Sequence, residues 1–193
     1  MTRALAASAV AAAVTLLALA ACSGTDGAGG TVSVREWVED SCDAALAWRR
    51  DLDEAGLDVR RDLIAAETPA SARTTLQGFL SDAEARTDQL LGELEEAGVP
   101  EGARGRAVAR ALRAGFEDAR DVFADMERAA DDLPLDDLGS FRAEVARISE
   151  RLDMRIEAIR NPFLAVSDRY GSEGGLGQAV RETASCRAFA RGD

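Results

Sequence analysis

Residues 102–133 read GARGRAVARALRAGFEDARDVFADMERAADDL, and this stretch decides the fold. Val108, Leu112, Gly115, Ala119, Val122, Met126, Ala129 and Leu133 recur at alternating steps of three and four, the spacing of one helix face. Arg, Asp and Glu fill most of the positions between them, so the spacing predicts an amphipathic helix starting near Gly102. The small residues Ala111, Gly115 and Ala119 along it would admit a neighbour at close approach.

The same period extends outward in both directions. Upstream, Thr68 and Pro69 form a cap and a first helical residue. They open a helix with the stripe Ala72, Leu76, Phe79, Ala83, Thr87, Leu90, Leu94 and Ala97, which Gly98 stops ahead of Val99-Pro100. Earlier still, Ser33-Val-Arg-Glu36 is a capping box, with Val32 and Trp37 placed as a hydrophobic staple. That first helix turns Val34, Val38, Cys42, Ala45, Leu52, Val59 and Leu63 inward. Trp37 and Trp48 flank the same face, about three turns apart. Downstream, the turn Asp131–Asp137 leads into a fourth stripe of Leu138, Phe141, Val145, Ile148, Leu152, Ile156, Ile159 and Phe163. Asn161-Pro162 is expected to end or kink it. Gly171-Ser-Glu-Gly-Gly175 breaks the pattern, and a short helix from about Leu176 to Ser185 carries Cys186 back towards the first helix. The loops are short, so consecutive helices should be antiparallel neighbours. The expected fold is all-α: an up-down-up-down four-helix bundle over residues 33–190, its short C-terminal helix disulfide-linked to the first.

Ahead of this body the chain changes character. Met1-Thr-Arg3 is followed by an uncharged run over 4–21, ending Leu19-Ala20-Ala21-Cys22. A positive start, an apolar run and small residues before a cut mark a secretory signal. Leu-Ala-Ala-Cys resembles the lipobox of bacterial lipoproteins, which implies cleavage between Ala21 and Cys22 and acylation of Cys22 with chains such as palmitate. The alternatives are a signal cleaved without lipidation and an uncleaved spanning helix, since the run is close to the minimum that crosses a bilayer. Residues 22–32, rich in Gly and Ser, read as a flexible tether. Removing residues 1–21 leaves 172 of the 193, which suits one domain.

Charge and composition exclude several classes. There are 35 acidic residues against 23 basic ones, for a net charge of −12. That balance opposes nucleic acid and polybasic membrane attachment as partners. Every basic residue is Arg; the chain holds no His and no Lys. The commonest general base and metal ligand is therefore missing, and with it the Glu-x-x-His ligand set of di-iron bundles. Schiff-base chemistry on lysine is missing too. No catalytic residue, no metal and no cofactor is expected.

Cys42 and Cys186 remain after Cys22. Outside the cytoplasm an even pair reads as a disulfide, here across 144 positions; two unrelated buried thiols are the alternative.

Trp37 with Cys42, the Ala-Gly-Val-Pro turn at 97–100 and the late Cys186 resemble a widespread group of actinobacterial lipoproteins and small secreted helical proteins. The Arg-only, Ala-rich usage also looks like that of a high-GC genome. The resemblance implies export and lipid attachment to the outer face of the cell membrane. It carries no known activity, and so implies no catalytic residues.

Three features invite a chemical reading. Asp131, Asp132, Asp136 and Asp137 crowd one turn and offer oxygen ligands to calcium, but Asp is equally a favoured helix cap and the EF-hand pattern is absent. Arg49, near the inner face of the first helix, is either an anchor for an anionic ligand or a stem packed along the core and paired with an acid of a neighbouring helix. Trp37 and Trp48 either stack on a ligand or pack. The leading expectation is a non-enzymatic envelope protein that binds a protein or wall component. The alternative is a lipoprotein holding a solute or cation between helices. Hydrolysis by paired carboxylates is the third, although nothing in the sequence places two of them in a cleft, and Glu93, Glu95 and Glu96 at the end of the second helix read as solvated. An exposed groove would favour the first, an enclosed polar pocket the second.

Overall fold

The computed structural model describes residues 30–159, 162–172 and 175–191, without the side chains of 153–159. The signal segment 1–21, the lipidation position Cys22 and residues 22–29 of the tether lie outside the described residues. So do the side chains of Ile156 and Ile159, expected in the fourth stripe.

The described chain is mostly helical. Its elements are β1 (Thr31–Val32), α1 (Val34–Ala65), α2 (Pro69–Glu96), β2 (Val99–Pro100), α3 (Gly105–Asp131), α4 (Leu138–Ile159), α5 (Pro162–Tyr170), α6 (Leu176–Glu182) and α7 (Ala184–Arg191). Local chemistry explains the boundaries. The Ser33 hydroxyl accepts from the Glu36 N–H at the start of α1. Thr68 and Ser71 cap α2 reciprocally, with Pro69 behind them. Gly98, at φ 79°, ends that helix in a conformation that suits glycine.

Cross-helix pairs fix the directions. Trp37, early in α1, donates its indole N–H to the Gly98 carbonyl beyond the end of α2, while Trp48 donates to Thr87. Arg113 pairs with Glu95, Arg120 with Asp88, and Gln77 donates to Asp131. Hence α1, α2 and α3 run antiparallel in succession. α4 packs on α3, α5 packs on α3 and α6, and α6 and α7 lie on α1.

Two apolar clusters fill the interior. One joins Val34, Trp37 and Val38 of α1 to Leu90, Leu94, Leu112 and Phe116, and to Phe163, Leu176 and Phe189 of the C-terminal helices. The other joins Leu76 and Leu80 of α2, Val122, Phe123 and Met126 of α3, and Phe141 and Ile148 of α4; Leu52 and Leu63 of α1 lean on it.

The elements depart from the sequence reading in four places. The third helix begins at Gly105, not Gly102. A Cβ at Gly105 would stand 1.8 Å from the Pro100 carbonyl oxygen, so glycine lets the helix start against β2. Thr31 and Val32, expected within the tether, pair in parallel with Val99 and Pro100. Phe163 belongs to a separate helix that begins at Pro162, where proline loses no intrahelical hydrogen bond. The single short C-terminal helix is two helices, divided at the extended Thr183. The close approach expected along Ala111, Gly115 and Ala119 is made by Pro162, whose Cβ would lie 2.9 Å from a Cβ at Gly115.

Candidate functional site

Cys42 and Cys186 form a disulfide, with Cα atoms 5.0 Å apart. It pins α7 to the first half of α1. Arg49 reinforces the same junction: its guanidinium donates to the Phe189 carbonyl, lies 5.8 Å from the centre of the Phe189 ring, and stands 3.7 Å from the Asp53 carboxylate. The expected acid partner on a neighbouring helix is therefore replaced by one on the same helix, four residues on. A guanidinium engaged on three sides, with only 15% of its side chain exposed, holds the last helix and is not presented to a ligand.

The tryptophans are likewise engaged in packing. Trp37 is 1% exposed. Trp48 is half-buried, donates to a Thr87 hydroxyl that in turn donates to the Ala83 carbonyl, and meets the Phe116 ring edge-on at 5.4 Å. Phe116 was not on the stripe read from the third helix, yet it is the centre of this aromatic group, touching Phe163 and Phe189 as well.

The acidic turn is a capping device. The Asp137 carboxylate accepts from the backbone N–H groups of Gly139 and Ser140 and from the Ser140 hydroxyl, which opens α4. The Ser140 backbone N–H, then its hydroxyl, then the Gly139 N–H hold the Asp137 carboxyl below its ordinary pKa. Asp131 accepts from Gln77 and, through its carbonyl, from Arg73. Among the described residues no group of three or more His, Cys, Asp or Glu is arranged to hold a metal ion. Glu95 pairs with Arg113 and Glu93 accepts from Gln89, both exposed.

Because the folded Asp137 carboxyl has the lower pKa, its contribution to stability is complete above the unfolded value, near 3.8, and is lost as pH falls through the folded one. Asp137→Asn should keep most of the cap but flatten stability against pH below about 4. Asp137→Ala should lower the melting temperature at neutral pH and fray the start of α4. Thermal melts from pH 2 to 7 measure both; identical acid limbs for the wild type and Asp137→Asn would refute the assignment.

The open feature lies elsewhere, in the second half of the α1–α2 hairpin. Through Leu46, α1 buries seven residues; beyond it none is fully buried. There α1 and α2 enclose a groove of about 400 Å³. Its apolar surface comes from Leu52, Ala55, Val59 and Phe79, and its rim carries Asp58, Asp62 and Asp82 together with Arg86; Arg86 is paired with Asp51, and Asp58 with Arg61. Small residues keep it open: Thr74, Thr75 and Gly78 face it from α2, and a Cβ at Gly78 would meet nothing within 4 Å. On another side of the same helix half, Leu57 and Ile64 are 62% and 76% exposed. Val59 and Phe79, expected in the core from their spacing, line this groove.

Glycine within a helix costs roughly 0.5–1 kcal/mol relative to alanine. Gly78→Ala and Gly56→Ala, both in open space, should each stabilise the fold by about that amount. Urea denaturation checks this; a lower midpoint in either variant would mean that the glycine is required by the fold itself.

Comparison with known proteins finds no family model, no curated protein and no solved structure that matches the chain. Among the described residues no helix is long and apolar enough to cross a membrane.

Proposed function

We propose that this chain is a lipid-anchored protein of the cell envelope whose helical body is a non-enzymatic binding module for a protein or wall component. The body is read as an up-down-up-down four-helix bundle, α4 and α5 together supplying its fourth position, closed by α6 and α7. The observation that carries the reading is the α1–α2 groove, an open feature lined by apolar and acidic side chains on a body whose tryptophans and Arg49 are already engaged. An open groove between helices suits a partner's side chains better than an enclosed solute. The anchor rests on Leu19-Ala20-Ala21-Cys22 after an uncharged run, in the manner of an actinobacterial lipoprotein.

Two measurements test the reading. Intact mass of protein extracted from membranes should show acyl chains on Cys22, and Cys22→Ala should leave an unlipidated larger precursor; an unmodified Cys22 in the wild type would sink the anchor. A photo-reactive amino acid at Thr74, on the groove, should give a discrete cross-linked adduct in cells, while one at Gly92, exposed on α2 outside the groove, should not. Equal labelling at the two positions, or none at Thr74, would sink the binding module.

A further inference from the structure

We infer that the α1–α2 groove seats a basic amphipathic helix, a segment of a partner with Arg or Lys along the flanks of an apolar stripe. This rests on the reading of the body as a binding module and names the chemistry of its partner. Charge comes first. The rim carries Asp58, Asp62 and Asp82; Arg61 pairs with Asp58 and Arg86 with Asp51, so carboxylates still outnumber guanidinium groups there, and the whole chain carries −12. A second copy of this chain brings the same acidic charge and is repelled, as is an anionic lipid surface. A cationic partner is attracted at long range and finds carboxylates at the groove's edge.

Backbone chemistry then selects the form. Both walls are helices, whose N–H and C=O groups are satisfied internally, so neither offers an edge on which an extended peptide could pair. An occupant that satisfies its own backbone fits such a groove, and a helix does so. From Leu52 to Asp62 the α1 wall rises about 15 Å, room for three helical turns. Apolar residues at i, i+3 or i+4, and i+7 would meet Leu52, Val59 and Phe79. The missing side chain at Gly78 leaves space for a close approach on the α2 side.

The test uses the full mature chain with its disulfide intact. The probe is a fluorescein-labelled peptide of about 15 residues made of Leu, Ala and Lys, with Leu at helical spacing. Its comparators are the same composition scrambled to destroy the period, and the same period with Glu in place of Lys. Fluorescence anisotropy should show saturable one-to-one binding of the probe, roughly tenfold or more tighter than either comparator, and weakened by salt. Gly78→Trp, which fills the groove, and the triple variant Asp58→Asn/Asp62→Asn/Asp82→Asn should each reduce affinity about tenfold. Equal binding of the scrambled peptide, equal binding of the acidic one, no binding of the probe, or an affinity unchanged in the triple variant would overturn the proposal. If Gly78→Trp loses its helical circular dichroism, the triple variant alone decides, since its three changes lie on exposed positions. A cross-linked adduct at Thr74 in cells without peptide binding overturns this inference and leaves the binding module standing, whereas absence of the adduct overturns the module itself.

Discussion

Removing the Cys42–Cys186 bond, by reduction or as Cys42→Ser/Cys186→Ser, is expected to lower stability by roughly 2–5 kcal/mol. The loop closed spans 144 positions, for which loop-entropy accounting assigns about 5 kcal/mol, and residual order in the unfolded chain reduces that figure. For a domain of this size the melting temperature should fall by roughly 5–15 °C. The loss should not be uniform. Arg49 on the Phe189 carbonyl and Arg35 paired with Glu182 still join the C-terminal helices to α1, and Phe189, Leu176 and Val180 stay apolar and packed. But α6 and α7 are only 7 and 8 residues long, too short to persist once detached. Amide hydrogen exchange should therefore accelerate first over residues 176–191, with α2 and α3 protected nearly as before. A melting temperature unchanged on reduction, or exchange that rises equally in α3, would show that the bond does not hold the terminal helices in place.

How far the sequence reached depends on how many neighbours each helix has. Periodicity located α1 to α4 within a few residues, because each has one face turned to the interior and polar residues elsewhere. It under-read α3. A single line of three-and-four steps missed Phe116 and Phe123, which are 0% and 2% exposed, because α3 packs against α2 on one side and α4 and α5 on the other and buries a wider arc than one stripe. It over-read the far half of α1: Val59 and Leu63 continue the pattern but are only half-buried there. Periodicity reports which residues could face a neighbour, not whether one is present. The two-residue strands were illegible, since Thr31-Val32 and Val99-Pro100 are too short to alternate and are brought together by Trp37 on Gly98. Cys42 with Cys186 was legible because one remaining pair leaves one connectivity. The groove was not, because it is made by what α1 and α2 lack between Ala55 and Gly78, and an absent side chain leaves no pattern.

Phe116→Ala should be among the most damaging single substitutions in the body, costing about 3–5 kcal/mol. The side chain is fully buried, and it meets Trp48 edge-on at 5.4 Å and both Phe163 and Phe189 at 6.3 Å. Those rings come from α1, α5 and α7, so one residue of α3 joins three separate parts of the chain. Each edge-to-face pair contributes roughly 0.5–1.5 kcal/mol beyond the area it buries. Phe123→Ala supplies the comparison: Phe123 is as deeply buried, in the second cluster, but no ring pair involving it occurs among the described residues. If the aromatic group matters as such, Phe116→Ala should exceed Phe123→Ala by about 1 kcal/mol or more in urea denaturation. A double-mutant cycle of Phe116→Ala with Phe189→Ala should then return a coupling of roughly 0.5–1.5 kcal/mol. Trp48 fluorescence, read in a Trp37→Phe background, should shift to the red as water reaches the face that Phe116 covered. Equal losses at positions 116 and 123 with zero coupling would reduce the aromatic group to ordinary apolar packing. A loss at position 116 that also speeds amide exchange over residues 176–191 would show that the ring, together with the disulfide, is what keeps the C-terminal helices seated against α1.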